Sequence, residues 1–299
     1  MSVRQLEETP ALGRLYARAA ITARGRHGDR LPDLVCELTE LTVDRNNLGA
    51  YAQVCGFPQS DVLPPTYPHI LGFPAAVTIM VDPAFPFALP GLVHVNNRIE
   101  QLRSLRADER LSVRVHAQGL RDHRRGRQFD MITEVSAGGD RVWTEASTYL
   151  RREKTATSKS LSPPVGRGQG EGQNSLPPHA GGGSGRGAPT AIWRIPRDIG
   201  RRYAAVSGDV NPIHLNPLVA RLFGFPRSIA HGMWLKAHCL AALEGRLEGH
   251  LIAEVEFKSP VLLPSAVAFR AGIDGAGWRL SVSQPRGDRQ HLAGDITNR

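Results

Sequence analysis

The stretch Tyr203-Ala204-Ala205-Val206-Ser207-Gly208-Asp209-Val210-Asn211-Pro212-Ile213-His214, with Gly224-Phe225-Pro226 and Ala230-His231-Gly232-Met233 after it, decides how this chain is read. It sets a carboxylate, a carboxamide and an imidazole within six residues, Asp209 to His214. Pro212 interrupts a helix, so the segment turns and Asp209 and His214 converge on one point. Histidine exchanges protons near neutral pH, and a neighbouring carboxylate orients it or shares the proton transfer. Such a pair can hold a water and deliver its hydroxyl and proton to a polarised double bond. Charge developing on a carbonyl oxygen then needs donors. A helix start at His231-Gly232-Met233 offers backbone N–H groups, and Gly232 allows close approach. Three other readings stand beside this one. Ser207 could be a nucleophile served by His214, although no Gly-x-Ser-x-Gly elbow surrounds it. Asp209, His214, His231 and His238 could hold a metal, although their spacing matches no metal motif. The stretch could also be a capped turn with a core histidine. His69, His94, His238 and His250 lie without paired acids and read as structural.

Working outward, the 299 residues carry 41% hydrophobic and 22% charged residues, enough for two buried cores. The net charge of +9 favours anionic partners. Phosphorylated small molecules, acidic carrier proteins and nucleic acids all qualify. The chain shows no paired Cys/His finger spacing, RNA-binding signature or basic heptad region, so no nucleic acid is expected. Cys36, Cys55 and Cys239 are odd in number, far apart and set in apolar runs. They read as buried thiols of a reducing compartment, neither disulfides nor metal ligands. No apolar run reaches ~18 residues, so no membrane span is expected. The acidic start at Glu7 and Glu8 lacks a signal core, which points to the cytoplasm.

Leu12, Leu15, Tyr16, Ala19 and Ala20 predict an amphipathic helix, and alternation predicts a strand over 34–43. A helical run from Asn47 holds Leu48, Tyr51, Ala52 and Val54 and stops at Gly56. Pro64 to Pro68 is too rigid for a helix interior, and Ala75–Met80 is a buried apolar run. Leu92–Leu102, Leu111–Leu120, Gln128–Ser136 and Trp143–Leu150 suit an antiparallel sheet. The arginine-rich turn from Arg121 to Gly126 reads as a solvated hairpin tip. In the second half Asp198 is a plausible cap, Trp234–Leu247 a long helix, and 251–257, 266–273, 277–284 and 290–297 strands. Residues 153–190 are rich in Gly, Pro and Ser and hold almost no large apolar side chain. They are expected to form a flexible linker between a domain at 1–152 and one at 191–299.

The two parts share a register. Tyr51-Ala52-Gln53-Val54-Cys55-Gly56 aligns with Tyr203 to Gly208, and Gly72-Phe73-Pro74 with Gly224-Phe225-Pro226, both at an offset of 152. Leu63 and Pro65 match Leu215 and Pro217 at the same offset. Two matches at a common offset argue for a duplicated domain. In that register Asp209 faces Phe57, Asn211 faces Gln59, His214 faces Val62, His231 faces Ile79 and Gly232 faces Met80. The first copy lacks the acid, the base and the His-Gly pair, which marks these as chemistry rather than scaffold.

The stretch Tyr203 to His214, followed by Gly224-Phe225 and Ile229-Ala230-His231-Gly232-Met233, resembles the hydratase-2 motif of the MaoC-like dehydratases. Phe257-Lys258-Ser259-Pro260-Val261-Leu262-Leu263-Pro264 is similar to the strand that follows it. The first part resembles the degenerate half of actinobacterial double-hotdog 3-hydroxyacyl-thioester dehydratases through Cys55-Gly56-Phe57, Leu63 to His69 and Gly91 to Val95. Asn216, where an Asp often follows the catalytic His, and Ser265, where Gly is common, depart from the pattern. The resemblance implies an α+β double hotdog, each half an antiparallel sheet wrapped around a long helix. It implies reversible syn hydration of trans-2-enoyl thioesters, carried by CoA or acyl carrier protein, in fatty-acid metabolism. By the same resemblance Asp209 and His214 activate water and the Gly232 N–H stabilises the thioester oxyanion, while Asn211, Ser207 and His231 meet the substrate. No cofactor and no metal are implied, and a homodimer is one assembly open to it. Arg201, Arg202, Arg221, Arg227, Lys236 and Lys258 lie near the motif as candidates for phosphate. The same fold could instead serve as a non-catalytic acyl-thioester-binding partner subunit or as a thioesterase.

Overall fold

The computed structural model describes residues 2–21, 26, 28–153, 188–275 and 277–299. The expected flexible linker falls, between 154 and 187, outside the described residues. A short strand β1 (Ser2–Gln5) and helix α1 (Leu12–Ile21) precede β2 (Leu34–Leu41), α2 (Arg45–Cys55) and α3 (Tyr67–Met80). Four long strands follow: β3 (Leu92–Gln101), β4 (Leu111–His123), β5 (Gly126–Ala137) and β6 (Asp140–Arg152). The second half runs β7 (Ala191–Ile195), α4 (Ile199–Ser207), α5 (Pro212–Leu215), α6 (Pro217–Leu222), α7 (Gly232–Ala241), β8 (Leu251–Phe257), β9 (Ser265–Asp274), β10 (Gly277–Ser283) and β11 (Gln290–Asn298).

Strand residues alternate between faces, and here one face is covered by helices. Along β5, Phe129, Met131, Thr133, Val135 and Ala137 are buried and the residues between them are not. Helix α3 is buried on nearly every side, from Tyr67 to Met80. A helix apolar all round belongs inside a core, and α3 is the sausage that the first sheet wraps. It continues through Pro74, where one lost backbone hydrogen bond is outweighed because the helix is encased in apolar contacts. Pro68 falls in the first turn, where its missing N–H has no intrahelical acceptor to lose.

All eleven strands form one sheet in the order β1-β2-β4-β5-β6-β3-β8-β11-β10-β9-β7. From each outer side inward, β2-β4-β5-β6-β3 and β7-β9-β10-β11-β8 are the same path. The two halves are therefore two hotdog units joined edge to edge by antiparallel pairing of β3 with β8, Ile99 opposite Ala253. Further bonds tie the halves: Asn47 Nδ2 donates to Val206 O at 3.1 Å, and Trp234 Nε1 donates to Val54 O at 3.0 Å.

The duplicated layout is real, but its ungapped register is not. The offset of 152 holds at Gly56 and Gly208, which both end helices in the left-handed conformation, φ 91° and 72°. It fails at Gly-Phe-Pro. Gly72-Phe73-Pro74 lies inside α3, whereas Gly224-Phe225-Pro226 lies in the turn after α6. Residues 56–66 separate α2 from α3, but the longer segment 208–231, with α5 and α6, separates α4 from α7. Phe57 still stands opposite Asp209. Val62 and Ile79 are not the counterparts of His214 and His231, and the residue that opens the first central helix as Gly232 opens the second is Tyr67. The long helix expected over 234–247 also begins earlier and ends at Ala241, and the chain continues in turns that include Gly245 at φ 76°. Asp198 sits at the cap position of α4 but its side chain caps nothing.

Candidate active site

A cavity of about 700 Å³ opens where the two halves meet. Phe73 and Met80 of α3 and Leu92 of β3 give it an apolar arm, and Asp209, His214 and Gly232 face it from the second half. The local sequence builds the polar end step by step. Gly208 takes the left-handed conformation that glycine alone adopts freely, so the chain leaves α4 sharply and Asp209 points away from the helix. The Ser207 hydroxyl accepts the Asp209 N–H at 3.2 Å, and Asp209 Oδ1 accepts the Asn211 N–H at 3.2 Å. Asn211 Oδ1 in turn accepts the Ile213 N–H at 3.4 Å and starts α5, with Pro212 in its first turn. These side-chain-to-backbone bonds make the turn, each of a kind that contributes about 1 kcal/mol.

His214 is buried, and its Nδ1 donates to Ile229 O at 2.8 Å. His231 occupies the cap position of α7, and its Nε2 donates to the Asp209 carbonyl at 2.9 Å. A carbonyl only accepts, so these contacts set both tautomers and leave the lone pair of His214 on Nε2. The two rings stack at 3.7 Å. One nitrogen or oxygen from each of Asp209, His214 and His231 lies within 4.8 Å of the others. The expected convergence across Pro212 is thus present. The set is compact enough for a cation, but the carboxylate is met by N–H and O–H donors, an arrangement suited to proton exchange.

Burial pushes the His214 imidazole down from its ordinary pKa, against the pull of Asp209 and the Ile229 carbonyl, so it is neutral at pH 7. Burial, with His214 beside it, takes His231 down to about 3. Burial alone would raise Asp209. His231 and His214, then the Tyr16 hydroxyl and the Asn211 N–H, outweigh it and hold the carboxyl below its usual value. Asp209 keeps 27% of its side chain accessible although protein surrounds it, because it faces the cavity.

Gly232 opens α7, where the first N–H groups have no intrahelical acceptor and no side chain caps them. A Cβ built on Gly232 would stand 3.0–3.1 Å from the Phe257 ring, so the glycine lets helix and strand close together beside the cavity.

Asp209, Asn211, Ser207, His214, His231 and Gly232 all line this one cavity. The basic residues picked out near the motif fare differently. Lys236 is fully buried, bonded to Asn97 and to Ala253 O, and its ammonium is pushed down to about 7 by burial. Of that group only Lys258 lines the cavity. The basic rim comes from the supposedly solvated hairpin tip, Arg124 and Arg125, together with Arg152. Nothing in the sequence placed a turn of the first half over a site of the second.

His69 also needs correction. It is not without an acid: its Nδ1 lies 2.9 Å from both carboxylate oxygens of buried Glu145, which also accepts from Asn97. His238 is structural as expected, bonded to Cys55 O at 2.8 Å and packed between Trp193 and Trp234. Tyr16 was expected only as part of the amphipathic helix, not at the site. Its hydroxyl donates to Asp209 Oδ1 at 2.8 Å, and only the tertiary structure brings the two together.

Comparison with known proteins gives the family and the fold. Residues 188–283 match the family described as MaoC like domain. The chain is 38% identical over 268 residues to the 3-hydroxyacyl-thioester dehydratase X of Mycobacterium tuberculosis, covering 90% of each. A stretch of 69 residues, 22% of this chain and 52% of the other, is 38% identical to the (R)-specific enoyl-CoA hydratase of Aeromonas caviae. The crystal structure of HtdX from Mycobacterium tuberculosis superposes with a TM-score of 0.75 at 34% identity, over 89% of this chain and all (100%) of that one. A MaoC-like dehydratase from Phytophthora capsici shares the fold at 18% identity, with a TM-score of 0.66 over 89% of this chain and 95% of its own.

Proposed function

The chain belongs to the MaoC-like dehydratase family, and from that membership and its site we infer that it is a hydro-lyase of acyl thioesters. In this reading it interconverts trans-2-enoyl and (3R)-3-hydroxyacyl thioesters. Asp209 and His214 hold a water. With Oδ1 occupied by two donors, Oδ2 of Asp209 is left to the cavity, and His214 presents Nε2. The water oxygen bonds to C3 as one of the pair takes its proton. A proton is returned to C2 from the same face, which makes the addition syn. Electron density that moves onto the thioester oxygen meets the Gly232 N–H at the head of α7. Dehydration is the reverse path.

The observation that carries this reading is the meeting of Asp209, His214 and His231 within 4.8 Å beside an uncapped helix start. Ser207 and Asn211 shape the turn, and His231 packs under His214. The apolar arm along Phe73, Met80 and Leu92 suits an acyl chain. Arg124, Arg125 and Arg152 suit the phosphates of a CoA or a carrier-protein arm. Cys36, Cys55 and Cys239 are buried free thiols, which supports a reducing, cytoplasmic setting. No helix among the described residues is long and apolar enough to cross a membrane.

The test is hydration of crotonyl-CoA, followed by loss of enoyl absorbance and by chiral analysis of the product. Turnover to the (3R) alcohol is expected. Binding without turnover would favour the partner-subunit reading, and release of free thiol, seen with a thiol dye, would favour a thioesterase.

A further inference from the structure

We propose that Tyr16, on α1, is a positioning residue that fixes the Asp209 carboxylate, so that the N-terminal segment of the chain completes the active site. The proposal rests on the reading of Asp209 as the water-activating acid. It lies outside the motif, and outside residues 188–283, which carry the match to the family.

Three observations support it. First, the Tyr16 hydroxyl donates to Asp209 Oδ1 at 2.8 Å, and the Asn211 N–H reaches the same oxygen at 3.2 Å. An sp² oxygen with two donors has both lone pairs engaged. The carboxylate plane is therefore set, and Oδ2 is turned to the cavity, 3.8 Å from His231 Nε2. Without Tyr16, only the Asn211 N–H would hold this oxygen, and the carboxylate could rotate about its Cβ–Cγ bond.

Second, α1 is seated for this contact. Leu12, Leu15 and Ala19 pack against Phe73, Val77 and Val81, of which Phe73 and Val77 belong to α3. At its other end Leu12 fills the space above Gly208. A Cβ there would stand 2.2 Å from Leu12 Cδ1. The glycine that ejects Asp209 from α4 is thus also the residue that lets α1 approach Asp209. Tyr16, one turn on from Leu12 along α1, lines the cavity.

Third, the phenol can only donate here. Burial, then the charge of Asp209 and its hydrogen bond, raise the Tyr16 hydroxyl far above its ordinary value, so it is protonated at neutral pH. Tyr16 is accordingly not the proton source of the reaction. It is a neutral donor that favours the ionised carboxylate. The other titratable groups facing Asp209 are His214 on α5, His231 at the head of α7, Tyr149 on β6 and Tyr203 on α4.

The experiment uses the full chain with crotonyl-CoA and the variants Tyr16→Phe, Asp209→Asn and the double variant. Tyr16→Phe keeps the ring and removes only the hydroxyl. It should lower kcat by about 10-fold to 100-fold, the range for a lost hydrogen bond to a charged group, with KM within about twofold. The acid limb of kcat/KM against pH should move to higher pH, since Asp209 loses a donor that favours its charged form. Adding Tyr16→Phe to Asp209→Asn should cost nothing further. Wild-type kcat and an unmoved acid limb in Tyr16→Phe, with Asp209→Asn inactive, would overturn the proposal and leave the proposed function standing. A fall in melting temperature with an unmoved acid limb would overturn it too, as the mark of a packing role. Full activity in Asp209→Asn would overturn both readings together.

Discussion

The two hotdog halves share one strand order and differ at the head of the central helix. In the first half the helix opens at Tyr67-Pro68-His69. Pro68 removes an N–H from the first turn, and His69 is engaged by buried Glu145. In the second half the helix opens at Gly232 after His231, with every N–H of the first turn present; neither helix start carries a side-chain cap. The approach differs as well. Eleven residues, 56–66, lead into α3, while 208–231 lead into α7 and carry Asp209, Asn211 and His214 on α5 and the turn before it. The difference shows that one scaffold takes different helix starts: a proline and a longer-range His–Glu pair in the first half, and in the second a glycine preceded by a longer segment with room for an acid and a base.

The largest effect expected from this contrast comes from the second half. Asp209→Asn or His214→Ala should lower hydration of crotonyl-CoA at least ~10²-fold, the usual scale for a lost acid–base group. His69→Gln and His94→Gln, on the first-half side of the same cavity, should keep kcat within about threefold. Gln can still donate to Glu145. A comparable collapse in the first-half variants would erase the distinction between the halves.

The glycines give a smaller and more selective test. Gly232→Ala should force α7 away from Phe257 and lower kcat by about tenfold while the fold holds, since displacing donors from a reacting oxygen is costly. Gly72→Ala in α3 meets Thr133 Cγ2 at 2.6 Å and should instead cost about 1–3 kcal/mol of stability with kcat unchanged. Reversed outcomes in urea melts and rate assays would mean the two helices do not divide their roles this way.

The pH profile sharpens the electrostatic side. His214 works as the neutral imidazole, and burial lowers its pKa in the folded protein. As pH falls through about 6.5, the ordinary value, His214 therefore keeps its lone pair, and the rate should persist to lower pH. Asp209, also lowered, stays ionised over the same window. An acid limb at or above pH 6.5 in kcat/KM would contradict the buried setting of the pair.

The smallest effect is expected between the halves. The chain must pass from β6 to β7, six strand steps along the sheet, a path of roughly 29 Å. Replacing residues 158–186 by Gly/Ser of equal length should leave activity and melting temperature unchanged. Deleting them outright leaves only 153–157 and 187–190, about 30 Å when fully extended, so the deletion tests reach rather than content. Loss of activity in the equal-length replacement would show that the linker sequence itself matters.

How much of this was legible beforehand follows the range of the interactions. Asp209, Asn211 and His214 are joined by bonds across two or three residues, and such turns are written in Pro, Asn and Gly. Strand alternation and the left-handed glycines at 56 and 208 are equally local. The sequence by itself thus determined the antiparallel sheets, the duplication and the polar turn with its acid and base. It misjudged the Gly-Phe-Pro match, because three residues recur easily and only the helix boundaries show which copies correspond. The tertiary structure alone decided that β3 pairs with β8 to make one cavity from two halves. It alone put Tyr16 on Asp209, Glu145 on His69 and the arginine hairpin at the cavity rim. Those contacts span tens to hundreds of residues, and no local spacing encodes them, since they depend on how whole sheets and helices pack.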